Sequence, residues 1–259
     1  MPGRVEYKYL VPGYLLDKFR AEIHPYMALD PFAEAASGGQ YSVRSIYYDT
    51  PSLDCYQEKD AGIETRHKYR IRGYGTDKTK SVVFLEIKKR VGAAIDKHRA
   101  PLNLSDLPQF LMAPDIDTHI IRMPGFPRAR DDARRFLYYY YRHCLQPAVL
   151  VVYDREAYFG KYNPSLRISF DKGIRGRVSP QLSDLHDESC LTPAMREYFV
   201  FEVKFFHQSI PQWTSELIRR YNLPRMALSK YTLCLDLKHL RPHVAQAPRV
   251  LPAAGYATV

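Results

Sequence analysis

At 259 residues and 46% hydrophobic, the chain can bury a large core and fits one domain at least as well as two. Lys and Arg outnumber Asp and Glu by 38 to 28, a formal charge of +10 that favours an anionic partner without separating nucleic acid, lipid and nucleotide. The four Cys form no CxxC pair, which argues against a zinc site or a disulfide framework, and no apolar run reaches the ~18 residues of a membrane span or forms a signal-peptide core, so a cytoplasmic protein without direct membrane insertion is expected.

In chain order, "VEYKYLV" alternates as a strand, and "YLLDKFRAEI" carries the Leu15, Leu16, Phe19, Ile23 spacing of a helix. A Gly-rich loop leads to the strand "YSVRSIYYDT", after which Asp49 and Thr50 offer caps for a short helix running through Lys59. "IETRHKYRIRGYG", "SVVFLEIKKRV" and the shorter "AAIDKHRAPL" read as an antiparallel meander. A helix at 105–112, an irregular loop and a second helix in "DDARRFLYYYYRHCL", capped by Asp131 or Asp132, interrupt the strands. The run Tyr138 to Tyr141 reads as part of a helix packed outside the sheet. Strands resume in "AVLVVYDREAYFG", "SLRISFDKG" and "YFVFEVKFF", and helices in "PQWTSELIRRYN" and "LSKYTLCLDLKHL" finish the fold. Residues 241–259, rich in Pro and Ala, are expected to form a poorly ordered tail after a single domain at 1–240.

Side chains two apart on a strand share a face. Arg66, Lys68, Arg70 and Arg72 therefore line up, as do Phe84, Glu86, Lys88 and Arg90, while Val83, Leu85 and Ile87 face the other way. The same alternation places Glu6 and Lys8, Tyr153 and Arg155, Arg167 and Ser169, and Glu202 and Lys204 on ionic faces. For any one strand an ordinary solvated face explains this as well. Over all the strands, Lys8, Arg66, Lys68, Arg70, Arg72, Lys88, Arg90, Arg155, Arg167 and Lys204 oppose only Glu6, Glu86 and Glu202. Cations converging in a low-dielectric lumen repel unless a polyanion neutralises them, so the pattern points to an α+β protein whose eight antiparallel strands close into a barrel with helices outside, gripping a polyanion. Arg predominates, as bidentate phosphate recognition favours. The three glutamates suit either a Mg²⁺ or Mn²⁺ ion bridging protein and phosphate oxygens or local charge balance with neighbouring lysines. No RNA or DNA motif is present, so nucleic acid is not the expected partner. The histidines show no metal-ligand spacing, and His98, beside Lys97, is expected near a tunnel mouth.

The segments "EYKY", "RSIYYDT", "RIRGYG", "FLEIKKR", "IDKHRAPL", "YDREAY", "LRISFD", "FEVKF" and "LSKYTLCL" together resemble the triphosphate tunnel metalloenzymes, and within them the VTC domain, the catalytic module of polyphosphate polymerases. The resemblance implies an eight-stranded triphosphate tunnel with Arg70, Arg72, Lys88, Arg155 and Arg167 at the reacting phosphates. It further implies Lys8 and Lys97 as phosphate ligands, a phosphate contact from Tyr153, a Ser229–Lys230 pair at an opening, and Glu202 as metal ligand. Arg66, Lys68, Arg90 and Lys204 extend the substrate lining, and Glu6 and Glu86 the metal set. Transfer of the γ-phosphate of ATP to polyphosphate follows as the expected activity, with metal-dependent triphosphate hydrolysis and noncatalytic polyphosphate binding as alternatives. Export of product would need a separate membrane partner. The chain departs from the polymerase pattern at Ala227, where a lysine is usual, and at Arg90, where a histidine is usual, both at positions that steer the growing chain.

Overall fold

The computed structural model describes residues 5–77, 81–92, 94–206 and 210–238. The expected tail, with His207, His239 and His243, lies outside them. The strands are β1 (Val5–Pro12), β2 (Met27–Leu29), β3 (Tyr41–Asp49), β4 (Thr65–Tyr74), β5 (Val82–Val91), β6 (Ala94–Asn103), β7 (Gln146–Gly160), β8 (Arg167–Val178), β9 (Thr192–Pro193) and β10 (Tyr198–Phe205). The helices are α1 (Leu16–Ile23), α2 (Pro31–Ala35), α3 (Asp54–Asp60), α4 (Leu107–Met112), α5 (Ile116–His119), α6 (Ala129–Arg142), α7 (Gln212–Arg220) and α8 (Lys230–Leu235). Among the described residues no helix is long and apolar enough to cross a membrane.

The strands pair antiparallel in the order β1-β10-β8-β7-β3-β4-β5-β6, with β2 added beside β7 and β9 beside β8. The main path thus holds the expected eight strands, but it does not close. Its end strands β1 and β6 make no ladder with each other among the described residues, so the hydrogen-bonded sheet is open where a closed barrel was expected. Short segments cover both free edges instead. The Met226 amide donates to the Lys8 carbonyl at 2.8 Å beside β1, and the Ile121 amide donates to the Pro101 carbonyl at 3.0 Å beside β6. Covering an edge removes unpaired backbone groups that would otherwise template pairing with another chain. The sheet curls far enough for Lys88 Nζ on β5 to reach Glu6 Oε2 on β1 at 3.4 Å.

Two apolar layers fix that curl from the convex side. Phe19, Ile23 and Leu217 of α1 and α7 pack on Phe170, Phe199 and Phe201 of β8 and β10. The Phe19 ring meets Phe199 and Phe201 edge-on at 5.7 and 5.5 Å, so removing it would cost about 3–5 kcal/mol. On the other half, Phe110 of α4 and Ala133, Phe136 and Leu137 of α6 cover Ile46, Ile71, Leu85 and Leu102. In the run Tyr138 to Tyr141, Tyr139 and Tyr140 pack against this layer while Tyr138 and Tyr141 are exposed.

The last helix departs from the expectation that all helices lie outside. α8 lies against the face that carries the charged rows: the Tyr231 ring stacks on Tyr47 at 5.1 Å, and Cys234 and Leu235 join Val43, Val149, Val151 and Ile174 in a third core. Two glycines permit this. A Cβ on Gly176 would stand 2.7 Å from Cys234 Cβ, so only glycine lets α8 approach. Gly173, at φ 55°, sits where the β7–β8 register shifts, and this bulge turns Ile174 toward α8 while Asp171 stays on the polar part of the same face. Asp49 fixes the other side of α8. Its carboxylate accepts from the Cys55 and Tyr56 amides at 2.9 and 3.0 Å at the start of α3, as expected of a cap, and also from the Tyr231 hydroxyl.

Candidate functional site

Register on the concave face brings the charged rows into separate groups. On β1 and β10, Lys8 pairs across with Glu202 and Glu6 with Lys204. Lys8 Nζ lies 2.9 Å from Glu6 Oε1 and donates to the Leu228 carbonyl at 3.2 Å, and Lys204 forms an ion pair with Glu202. Burial pushes the Glu6 carboxyl up, but Lys8 and then Lys88 outweigh it and leave the carboxyl well below its ordinary value. Glu202 is likewise held low against burial by Lys204, Lys8 and Lys230.

A second group centres on Glu86, only 1% exposed. Arg70 Nε donates to its Oε2 at 2.6 Å, while Arg99 Nε and Lys97 Nζ approach Oε1 at 2.6 and 3.2 Å. Arg70 also donates to the Tyr47 hydroxyl at 2.9 Å. Burial first, opposed in part by Glu86 and reinforced by Arg99 and Arg70, pushes the Lys97 ammonium down to about 7.

Next to this group, Arg72 is 6% exposed and donates to Ser45 Oγ at 3.0 Å and to the Tyr153 hydroxyl at 3.4 Å. Among the described residues no carboxylate lies within ion-pair distance of its guanidinium. Arg155 grips Asp171 with two bonds of 2.6 and 2.8 Å, and Lys230 Nζ reaches the same carboxylate at 2.5 Å and stands 4.8 Å above the Tyr153 ring. Lys68 Nζ donates to Ser229 Oγ at 2.7 Å. Burial, followed by Lys8, Lys88, Lys59 and Arg70, holds the Lys68 ammonium pKa well below the usual lysine value.

Most of the expected site residues therefore meet on one face: Lys8, Lys68, Arg70, Arg72, Lys88, Lys97, Tyr153, Arg155, Lys204, Ser229 and Lys230, with Glu6, Glu86 and Glu202. Three lie at its margins. Arg167 is exposed, 6.0 Å from the Phe159 ring, and Arg66 faces Arg90 at the far end of the β4–β5 ladder. Arg90 is exposed and donates to the Gly92 carbonyl at 2.6 Å. The three glutamates do not converge as a metal set: among the described residues, no three His, Cys, Asp or Glu side chains gather where they could hold an ion. Glu86 does not suit a metal, because its oxygens are taken by Arg70, Arg99 and Lys97. Glu6 and Glu202, diagonal neighbours on β1 and β10, are ion-paired as well, Glu6 to Lys8 and Lys88 and Glu202 to Lys204.

His98 is a correction. It points away from Lys97, between Asp132 and Asp96 at 2.8 and 3.0 Å, on the convex side under α6, since adjacent strand residues face opposite ways. Asp132, expected to cap α6, instead accepts from His98 and from the Arg99 amide at 2.9 Å. Two lining residues had escaped the sequence reading. Asp171 continues the Arg167, Ser169 row and Arg99 follows Lys97 by two, so the alternation carried both.

The family profile of the VTC domain matches residues 3–239. The chain belongs to the VTC domain family. Membership ties this VTC domain to polyphosphate-polymerase chemistry in the general sense. No curated protein matches. Among solved structures, the chain is similar to the PH1819 protein of Pyrococcus horikoshii OT3, at 15% identity and a TM-score of 0.45, over 90% of this chain and 99% of that one.

Proposed function

We propose that the concave face of this VTC domain holds the triphosphate of ATP together with the end of a polyphosphate chain, and transfers the γ-phosphoryl group from the first to the second. The observation that carries this reading is Arg72: a buried guanidinium bonded, among the described residues, only to neutral hydroxyls, beside Arg70 and Arg155, is costly unless an anion joins it. The surrounding cations suit that anion to be a polyphosphate, because phosphate oxygens accept forked bonds from Arg and several point contacts from Lys.

In the transfer, a terminal oxygen of the chain attacks the γ-phosphorus, the bond to the β,γ-bridging oxygen breaks, and ADP leaves. Such a reaction asks for positioning and charge neutralisation more than for covalent help. Arg70, Arg72 and Arg155 would neutralise the equatorial oxygens, with Tyr47 and Tyr153 orienting the guanidiniums. Lys8, Lys88 and Lys97 would hold the chain. A Mg²⁺ or Mn²⁺ ion held by Glu202, with Glu6 beside it, would add neutralisation at the leaving oxygens.

A second reading, hydrolysis of triphosphate by water, is favoured by Arg90, which stands where the polymerase pattern has a histidine and whose guanidinium is engaged by the Gly92 carbonyl. Purified protein incubated with ATP and Mn²⁺ decides between them. Long-chain polyphosphate supports the polymerase, free phosphate alone supports the hydrolase, and binding without either product leaves a polyphosphate-binding module.

A further inference from the structure

Lys68 differs from the other lining lysines in its partner. Lys8 and Lys88 have Glu6, Lys97 has Glu86, Lys204 has Glu202 and Lys230 has Asp171. Lys68 meets no carboxylate within ion-pair distance among the described residues, and its ammonium nitrogen is spent on a serine hydroxyl at 2.7 Å. That serine is itself held. Ser229 is 6% exposed and caps α8, its hydroxyl oxygen accepting the Thr232 amide at 3.5 Å, while its carbonyl accepts the Leu233 amide at 3.0 Å. Lys230, the next residue, stands over Tyr153, the hydroxyl that Arg72 donates to. Lys68 itself lies two positions along β4 from Arg70. The hydroxyl is thus placed beside the side chains that would hold a triphosphate.

We infer that Ser229 Oγ and Lys68 Nζ form a nucleophile–base pair, and that Ser229 accepts a phosphoryl group from the bound nucleoside triphosphate to give phosphoserine. The inference rests on the proposed occupancy of the concave face by ATP. Ser229 Oγ forms a bond to the γ-phosphorus, the bond from that phosphorus to the β,γ-bridging oxygen breaks, ADP carries away the electron pair, and the hydroxyl proton passes to Lys68 Nζ and then to solvent. A lysine can take that proton only when neutral. The charged groups facing Lys68 favour neutrality: Lys8 from β1, Lys88 from β5, Lys59 from α3 and Arg70 from its own strand all lower its pKa, after burial. The phosphoserine would stand among Lys8, Lys68, Lys88 and Lys230, and would supply a first phosphate end from which a chain can grow without a free primer.

The test uses the full chain with ATP labelled in the γ-phosphate and Mn²⁺, followed by denaturation, an acid wash, digestion and mass spectrometry. Acid-stable phosphate on the peptide that carries Ser229, absent in Ser229→Ala, is the expected result. Lys68→Arg keeps a long side chain with hydrogen-bond donors but stays protonated and cannot accept the serine proton, so labelling should slow by about a hundredfold or more, as loss of a general base does. Tripolyphosphate binding by the same variant, followed by calorimetry, shows that its face still loads an anion. Polyphosphate formed from ATP with no label on Ser229 overturns the inference and leaves the proposed transfer standing, and free phosphate alone with no label overturns the inference and leaves the hydrolytic reading. Label that persists in Ser229→Ala, or labelling as fast in Lys68→Arg as in the parent, also overturns it. Bound triphosphate with neither product nor label overturns both.

Discussion

Replacing Glu86 with Gln removes one charge from a group in which three cations converge. Arg70, Arg99 and Lys97 lie 2.5, 2.6 and 3.2 Å from the carboxylate, which is 1% exposed, so the substitution leaves buried cations facing one another. Breaking a buried ion pair from one side costs about 3–5 kcal/mol. The lower half of that range applies, since the Lys97 side chain is 43% exposed and that of Arg99 22%, and water relieves part of the repulsion. A loss of about 3–4 kcal/mol corresponds to a fall in Tm of about 10 °C for a chain of this size. Tripolyphosphate should narrow the gap, because it supplies the anion that Glu86 no longer provides. The pH dependence has a fixed sign: burial raises the Glu86 carboxyl but Arg70 and then Lys97 depress it well below its ordinary value, so its contribution is full above the unfolded carboxyl value near ~4.3 and is lost as pH falls toward the depressed one. Thermal unfolding at pH 7 with and without tripolyphosphate measures the charge effects, and melts of parent and variant at falling pH measure the titration. An unchanged Tm without ligand, or a gap that tripolyphosphate widens, would refute the charge-balance role given to Glu86.

Lys97, with its ammonium pushed down to about 7, should make tripolyphosphate affinity fall as pH rises through neutrality, by up to about tenfold per pH unit above 7. Calorimetric titration at several pH values should show a shallower dependence in Lys97→Gln, and equal slopes would remove Lys97 from the grip. Asp171→Asn frees Arg155 and Lys230 from a common carboxylate, so tripolyphosphate should bind more tightly while the free protein becomes less stable, both read from melts with and without ligand. Asp49→Ala removes bonds to the Cys55 and Tyr56 amides and to the Tyr231 hydroxyl, and should cost about 2–4 kcal/mol in a denaturant titration.

Much of the concave face was legible because one rule, alternation along a strand, assigns every side chain to a side. The rule carried Arg70, Arg72, Glu86, Lys88, Arg155 and Glu202 to their observed places, and carried further than it was first followed, to Asp171, Arg99 and the outward His98. It could not show closure. Whether β1 meets β6 depends on the summed twist and curl of the sheet and on the segments at Met226 and Ile121 that cover its edges, none of which has a local signature. Nor could it place α8. That helix sits on the inner face because Gly176 leaves room for Cys234 and the bulge at Gly173 rotates Ile174 toward it, and an isolated glycine in a strand announces a close approach without naming its partner.

Arg72 is the cation on this face that most needs an anion, and one substitution addresses it. Tripolyphosphate is titrated by calorimetry into the parent protein and into Arg72→Met, with melting curves of both in the absence of ligand. Because Arg72 lacks a carboxylate partner among the described residues, its replacement by an apolar side chain of similar length should leave Tm unchanged or raised. Losing its charge-assisted bonds to phosphate, worth about 1.5–3 kcal/mol, should weaken binding by roughly tenfold to a hundredfold. A folded Arg72→Met protein that binds tripolyphosphate as tightly as the parent, or a parent that does not bind it at all, would contradict the claim that this face exists to hold a polyphosphate.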